Sequence, residues 1–197
     1  MDEKELWELL EDSRRQTGDP DGRLAWLRRQ LMRRPLPEIV RFQVGLEALR
    51  RPVDTWDMWA AADQIVGGCS DDGFRHFQLW LLGLGREVCE RAAAGPDSLA
   101  RVPELRVLAG RPMADWSDAQ WPEWEALGYV AAEAFEELTG EEDGLEDALL
   151  ALGLDLPAGP DPTGEPWDVR NAAEAARRLP ELSALFPLPS GNSAGRP

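Results

Sequence analysis

Residues 67–77, GGCSDDGFRHF, hold the densest group of chemically reactive side chains in the sequence. They offer a thiol, a hydroxyl, two carboxylates, a guanidinium and the only histidine of the chain. Nucleophilic, acid–base and metal-dependent enzymes use these groups, so the spacing between them determines which of these reactions they could support. The candidate binding residues in and around this segment are Trp59, Ser70, Asp71, Asp72, Arg75, His76 and Arg86.

Nucleophilic catalysis is the first chemistry to consider. A cysteine–histidine pair needs its reacting atoms within about 3–4 Å of each other. Cys69 and His76 are seven positions apart, which is roughly 10 Å of rise on a helix, and there is no second histidine. A triad built on Ser70 would require His76 to bend back over its own helix. The sequence therefore favours a non-catalytic protein, and we assign no catalytic residue.

Metal binding is the second chemistry. Asp72 and His76, four positions apart, are spaced to supply two ligands from one helix face. Further ligands would have to come from Asp63, or from Glu133 and Glu136, and the chain has none of the Glu-x-x-His pairs of di-iron bundles. We predict no metal site and no cofactor. A small-molecule or metal-dependent enzyme with its polar groups around GGCSDDGFRH is the alternative.

A helix start accounts for the same residues without any reactivity. Gly67 and Gly68 end one helix, because glycine adopts the left-handed conformation that helix ends require. Ser70 is then the N-cap of the next helix, and its hydroxyl accepts a hydrogen bond from the N–H of Asp72 or Gly73. The polar residues of the segment thus have an architectural role.

The charges that follow Ser70 fit the same interpretation. Asp71 and Asp72 fall in the first helical turn, where negative charge meets the positive end of the helix dipole. Asp71 with Arg75, and Asp72 with His76, are favourable pairs at a spacing of four. We therefore expect both pairs to form along one helix.

The elements that must position this segment are helices. Apolar residues recur at three- and four-residue spacing, and alternating β-branched runs are absent. Pro37 and Pro122 stand at helix starts, and Asp54 or Thr55 caps the helix that carries Trp59. The apolar stripes cover residues 6–10, 24–31, 39–49, 58–66, 74–88, 124–138, 145–152 and 169–179. The sequence predicts an all-α fold, a single-domain helical bundle with short loops.

The domain should extend over residues 1–186. A proline- and glycine-rich connector, LPAGPDPTGEP, occupies residues 156–166, and PLPSGNSAGRP at residues 187–197 is predicted to be a disordered tail. No apolar run approaches the ~18 residues that cross a bilayer, and the first residues are acidic where a signal peptide is basic. With two cysteines, Cys69 and Cys89, expected to stay free, we predict a cytoplasmic protein without membrane association.

Charge is distributed unevenly along the chain. Residues 1–111 carry 17 basic and 19 acidic side chains, whereas residues 112–197 carry 4 and 18. The net charge of −16 disfavours nucleic acid and anionic membranes as partners. Nucleic-acid binding by a local basic patch is the counter-hypothesis, with Arg28, Arg29, Arg33 and Arg34 as its residues, but such arginines usually face solvent or pair with acids elsewhere.

Residues 56–100 resemble the core of domain-of-unknown-function family 4240, most specifically in GGCSDDGF, GRE and PDSLA. ELWELLEDSR near the start, YVAAEAFEELTG at residues 129–140 and RRLPELSALF at residues 177–186 are similar to that family too. The resemblance therefore spans most of residues 6–186. It implies a small bacterial soluble protein and no established activity.

Four positions depart from the pattern of that family. Asp63 and Gln64 stand where apolar or aromatic residues are usual, Gln78 where arginine is expected, and Phe135 where tyrosine is common. If the family uses these positions for a polar site, this member has altered it.

The nine tryptophans are the strongest hint of function. Tryptophan and arginine are enriched at binding hot spots, and a groove lined by tryptophans would accept an amphipathic peptide. Seven tryptophans are too many to bury fully in a chain of this size: Trp56, Trp59, Trp80, Trp116, Trp121, Trp124 and Trp167. We therefore expect a protein- or peptide-binding accessory module.

Overall fold

The computed structural model describes residues 1–154 and 161–188. In these residues the chain forms helices and one isolated bridge between Thr55 and Thr163, so the predicted all-α class is confirmed. The α-helices are α1 (Glu3–Gln16), α2 (Pro20–Leu31), α3 (Leu36–Arg50), α4 (Trp56–Val66), α5 (Asp71–Gly83), α6 (Arg86–Ala94), α7 (Pro103–Arg106), α8 (Val130–Thr139), α9 (Gly144–Ala151), α10 (Ala172–Arg178) and α11 (Pro180–Leu185). Short 3-10 helices lie at Arg51–Val53, Pro96–Arg101, Met113–Asp115, Asp118–Gln120 and Glu125–Gly128.

Helix starts follow the capping residues of the sequence. Asp2, Asp19, Thr55 and Ser70 each accept a hydrogen bond from a backbone N–H three residues further on. Gly67, with φ 73°, ends α4 in the left-handed conformation, as predicted. The α4–α5 junction is therefore encoded locally.

The apolar stripe at residues 74–88 is divided between α5 and α6, and Gly83 and Gly85, which in the sequence indicate a close helix approach or a break, lie at the division. Helix α5 ends at Gly83, and Gly85 has φ 103°, a backbone angle that residues with a side chain rarely adopt. A Cβ at Gly83 would lie 2.6 Å from the ring of Trp124, so the glycine permits close packing of that ring. The apolar spacing continues across a break that only the glycines reveal.

The helix predicted from Pro122 starts later than expected. Trp124 has φ −150° and ψ 63°, and its N–H donates to the carbonyl of His76 at 3.0 Å. This contact with α5 pins residues 122–129 outside a regular helix, and α8 begins only at Val130. Two smaller differences are that α10 begins at Ala172 and that α11 follows it as a separate short helix.

One core joins the first helix to the last. Leu6, Phe42, Leu82 and Leu182 are among its fully buried members. The carboxylate of Asp97 accepts from the N–H of Leu182 at 2.8 Å, which fixes the start of α11 against the 3-10 helix Pro96–Arg101. The two C-terminal helices thus pack on the same core as the N-terminal ones.

Parts of the predicted connector and tail lie outside the described residues, namely residues 155–160 and 189–197. The rest of the connector, residues 161–166, is not helical. Within the described ranges, none of the helices combines the length and the apolar character that crossing a bilayer requires.

Candidate functional site

The segment at residues 67–77 is a helix start, as its spacing indicates. The hydroxyl of Ser70 accepts from the N–H of Gly73 at 3.1 Å, whereas Asp71 and Asp72 are exposed in the first turn of α5. The N–H of Cys69 donates to the carboxylate of Asp63 at 2.7 Å. Burial, and secondarily the nearby Asp63 carboxylate, raises the pKa of the Cys69 thiol to about 12. Cys69 is therefore a neutral thiol at ordinary pH.

The two pairs expected within α5 do not form, because both cationic side chains find partners on other elements. Arg75 forms an ion pair with Glu47 of α3, whose carboxylate is buried and so gains more from the contact than exposed Asp71. His76 places its Nε2 3.8 Å from the carboxylate of Glu125. Tertiary partners therefore replace the local ones.

Trp59 and Arg86 lie apart from the other predicted site residues. Trp59 stacks between Trp56 and Phe74, and its Nε1 donates to the carbonyl of Cys69 at 2.9 Å. Arg86, at the start of α6, binds Glu90 at 2.6 Å. Both side chains stabilise helix packing or helix ends.

The residues weighed as metal ligands are dispersed. Asp63 accepts from the N–H of Cys69, and Glu133 lies 3.9 Å from Arg28. Across residues 1–154 and 161–188, no three His, Cys, Asp or Glu side chains are grouped so as to hold a metal ion.

Asp72, Arg75 and His76 do come together, along one side of a groove of about 670 Å³. We call it the acidic groove. It lies between α5, the 3-10 helix Glu125–Gly128, α8 and α9, with α3 beneath it. It is lined by Leu79, Gly128, Tyr129, Ala132, Leu145, Leu149, Leu150 and Leu154, and by Gln43, Asp72, Arg75, His76, Glu125, Glu142, Asp143 and Glu146. None of the nine tryptophans lines it, contrary to the tryptophan-lined groove expected from composition.

The acidic groove carries an excess of negative charge. Five carboxylates line it, against Arg75 and His76. Arg75 is already neutralised by Glu47, and His76 lies beside Glu125. A ligand therefore meets an apolar surface with a negative rim.

A buried polar network supports the Arg75 wall of the groove. Glu47 binds Arg50 at 3.1 Å as well as Arg75, and Arg50 also contacts Asp54 at 3.2 Å. Gln78, which is fully buried, accepts from Arg50 at 2.7 Å and donates to Asp54 at 2.9 Å. The two arginines of the network are balanced by Glu47 and Asp54. They therefore do not neutralise the carboxylates that line the groove.

Gln43 is one of the groove residues that sequence reasoning missed. It lies on α3 with only 7% of its surface exposed, and its Oε1 has no hydrogen-bond partner. A signal was present: Gln43, Glu47 and Arg50 recur at helical spacing on a helix whose buried residues are otherwise apolar. Buried polar residues in such a row either pair with each other or face a cavity.

Comparison with known proteins gives one match. The model of a family described as "Protein of unknown function (DUF4240)" matches residues 1–137. The chain belongs to the DUF4240 family. No curated protein and no solved structure matches it.

The DUF4240 match covers only part of the groove. It includes Gln43, Asp72, Arg75 and His76, and it ends inside α8. The α9 wall therefore lies beyond the matched residues, as does the resemblance noted at residues 177–186.

The four positions expected from the sequence to depart from the family pattern make structural contacts in this chain. Asp63 fixes Cys69, and Gln64 donates to Ser183 at 3.1 Å and to the carbonyl of Phe186 at 2.9 Å. Gln78 belongs to the buried network, and Phe135 packs against the first residue of α9, where a Cβ would lie 2.8 Å from its ring. None of the four lines the acidic groove.

Proposed function

We propose that this chain is a non-catalytic, cytoplasmic binding module whose acidic groove docks a positively charged, amphipathic polypeptide segment. One observation carries the proposal: an open groove with an apolar floor is lined by five carboxylates, none of which pairs with a lysine or arginine of the described residues. The floor is formed by Leu79, Leu145 and Leu149, which are largely buried in the protein and line the groove.

The extent of exposed apolar surface favours a polypeptide over a small molecule. Tyr129 and Leu150 line the groove with 56% and 52% of their surface exposed. Leu138 and Leu152 are exposed as well but do not line the groove. Exposed apolar side chains beside a groove are typical of a site that a polypeptide covers.

The negative charge of the groove favours a partner with positive charge. Complementary charge speeds association and rejects partners of like charge, so a basic segment is favoured and a nucleic acid is disfavoured. In the arginine-rich part of the chain, Arg28 lies 3.7 Å from Glu137 and Arg34 lies 2.6 Å from Glu5, so these two are engaged with acids of the same molecule. Arg29 and Arg33 are exposed and do not line the groove.

Selection from a displayed library of random 16-residue peptides tests the proposal. The full chain is the bait, and we expect enrichment of peptides that combine arginine or lysine with leucine or phenylalanine. Their affinity should fall as salt is raised, because charge attraction is screened.

Matched variants place the binding site. Glu146→Lys and Leu150→Asp should weaken the selected peptides at least tenfold. Asp147→Lys and Leu152→Asp, on exposed neighbours that do not line the groove, should leave binding within twofold. Enrichment that the two groove variants retain, or no enrichment at all, contradicts the proposal.

A further inference from the structure

The carboxylates of the acidic groove stand on two walls. Asp72 belongs to α5, and Glu125 belongs to the 3-10 helix that packs beside α5. Glu142, Asp143 and Glu146 lie in or just before the first turn of α9. Both α5 and α9 pack on α3, which lies beneath the groove. A docked segment therefore meets negative charge on two sides.

The elements that line the groove offer a docked segment few backbone partners. The walls and the base are formed by α3, α5, α8, α9 and the 3-10 helix Glu125–Gly128. Helices bond their own backbone N–H and C=O groups internally, apart from those at their ends. The one isolated bridge of the described residues joins Thr55 and Thr163, and neither of these lines the groove. A docked segment therefore finds no sheet edge with which to pair.

The apolar floor makes this lack of backbone partners costly. Docking on Leu79, Leu145 and Leu149 removes water from the backbone of the segment. A buried N–H or C=O group without a partner costs free energy comparable to a lost hydrogen bond. An α-helix bonds these groups within itself, whereas an extended segment needs partners that leucine side chains cannot supply. The floor therefore favours a segment that is helical when bound.

The placement of the charges favours a helix as well. Side chains of an extended segment alternate between two opposite faces, so when one face lies on the floor the other points to solvent, away from the walls. A helix presents an apolar stripe with further side chains on both of its sides. Lysine or arginine at these positions packs its methylenes beside the stripe and extends its charge outward. A helix thus directs positive charge toward both walls of the groove.

We infer that the acidic groove binds its partner as an amphipathic α-helix, with an apolar stripe on the leucine floor and basic residues along both sides of the stripe. This inference rests on the proposed function, since it names the conformation and the residue pattern of the docked segment. Recognition then depends on the order of the residues in the segment as well as on their composition.

Three peptides of identical composition test the helical conformation. The helix-patterned peptide has leucines at spacings of three and four, with lysine and arginine on both sides of the stripe. The alternating peptide carries the same leucines at a spacing of two. The third peptide keeps the helical order but has D-amino acids at two central positions, which interrupt a right-handed helix. Fluorescence anisotropy with the full chain should show that the helix-patterned peptide binds at least tenfold more tightly than either of the others.

NMR measures the bound conformation separately. Isotope labels in the helix-patterned peptide report its Cα chemical shifts, which should move to helical values when the peptide is saturated with the full chain. Extended or random-coil values in the complex would overturn the inference, even if the peptide binds tightly.

Charge reversals on the two walls test the placement of the basic residues. Asp72→Lys on α5 and Glu146→Lys on α9 should each weaken the helix-patterned peptide about tenfold, because each puts a like charge beside its basic residues. Asp71→Lys and Asp147→Lys are matched controls on exposed neighbours that do not line the groove, and should leave binding within twofold. Thermal unfolding checks that the four variants are folded. If Asp72→Lys binds the peptide as the wild type does, recognition by two walls is wrong.

The outcomes distinguish this inference from the proposed function. If the helix-patterned and alternating peptides bind equally and Glu146→Lys weakens both, the inference is overturned and the proposed function stands. If the peptide with D-amino acids binds as tightly as its all-L counterpart, a helix is not required and the inference is overturned again. If none of the three peptides binds and the random library yields no binder, the proposed function fails and the inference fails with it.

Discussion

At the scale of single residues, the segment with the most reactive side chains is held by contacts that suppress reactivity. The hydroxyl of Ser70 is occupied as a helix cap, and the N–H of Cys69 is fixed by Asp63. Arg75 is drawn away from its helix neighbours by Glu47. Each contact holds backbone or packing in place, which yields two predictions about reactivity and stability.

The thiol of Cys69 should react slowly in the folded protein. With the pKa raised to about 12, the thiolate fraction at pH 8 is about 10⁻⁴, compared with roughly a quarter in an unfolded chain whose cysteine pKa is about 8.5. Because the folded thiol stays protonated until the pH approaches 12, the alkylation rate should rise through pH 8–10 without levelling off. Mass spectrometry after iodoacetamide treatment measures the rate, and urea-unfolded protein is the control. A native rate near the unfolded one would contradict the burial argument.

Ser70→Ala should lower the free energy of unfolding by about 1 kcal/mol, because the N–H of Gly73 loses its cap. Ser70→Asp keeps an acceptor and should cost much less. Urea denaturation followed by circular dichroism provides both values. Affinity for selected peptides should not change, since Ser70 does not line the acidic groove; a large loss of binding with unchanged stability would argue that Ser70 is functional.

At the scale of elements, the sequence predicts those helix starts and ends that depend on interactions between residues close in the chain. The helix starts at Thr55 and Ser70 and the end at Gly67 follow from capping, which acts within a few residues. The break after Gly83 and the late start of α8 depend on Trp124, whose ring and N–H contact α5 across more than forty residues of chain. The spacing of apolar residues along the sequence does not predict such long-range contacts.

The acidic groove could be predicted only in part, for the same reason. Asp72, Arg75 and His76 were picked out because they are neighbours on one turn of helix. Gln43 and Leu145 are about a hundred residues apart and meet only through packing of α3 and α9. Composition points to tryptophans, but eight of the nine lie in the core or pack against it, as the stacking of Trp59 illustrates.

Gly83→Ala tests the element packing that ends α5. The new Cβ would lie 2.6 Å from the ring of Trp124, so the ring or the helix must shift, at a cost of about 1–3 kcal/mol. Gly95→Ala is the control, because a Cβ there meets nothing within 4 Å and its φ of −174° suits any residue. Thermal unfolding compares the two variants. Equal melting temperatures would show that Trp124 moves aside freely.

At the scale of the whole molecule, the excess of acidic residues in the second part of the chain contributes most of the carboxylates of the acidic groove. Four of the five groove carboxylates, Glu125, Glu142, Asp143 and Glu146, come from residues 112–197, the strongly acidic part. Other acids of that part face the arginine-rich helices, as Glu137 faces Arg28. Packing therefore neutralises some of the charge and leaves a negative excess around the groove.

Leu182→Ala tests whether the C-terminal helices fold together with the DUF4240 segment. Leu182 is fully buried in the common core, although the family match ends at residue 137, so the cavity should cost about 2–5 kcal/mol. If the chain is one cooperative domain, urea unfolding should remain a single transition at a lower midpoint with an unchanged slope. Tryptophan fluorescence and far-ultraviolet circular dichroism should coincide.

Leu185→Ala, at a half-buried position of the same helix, is the control and should shift the midpoint less. If α10 and α11 formed an independent unit, Leu182→Ala would produce an early, partial loss of helical signal and leave the main transition in place. The hydrogen bonds from Gln64 to Ser183 and Phe186, together with the Asp97 contact to α11, argue for the cooperative result. These bonds can form only when the two parts of the chain are folded against each other.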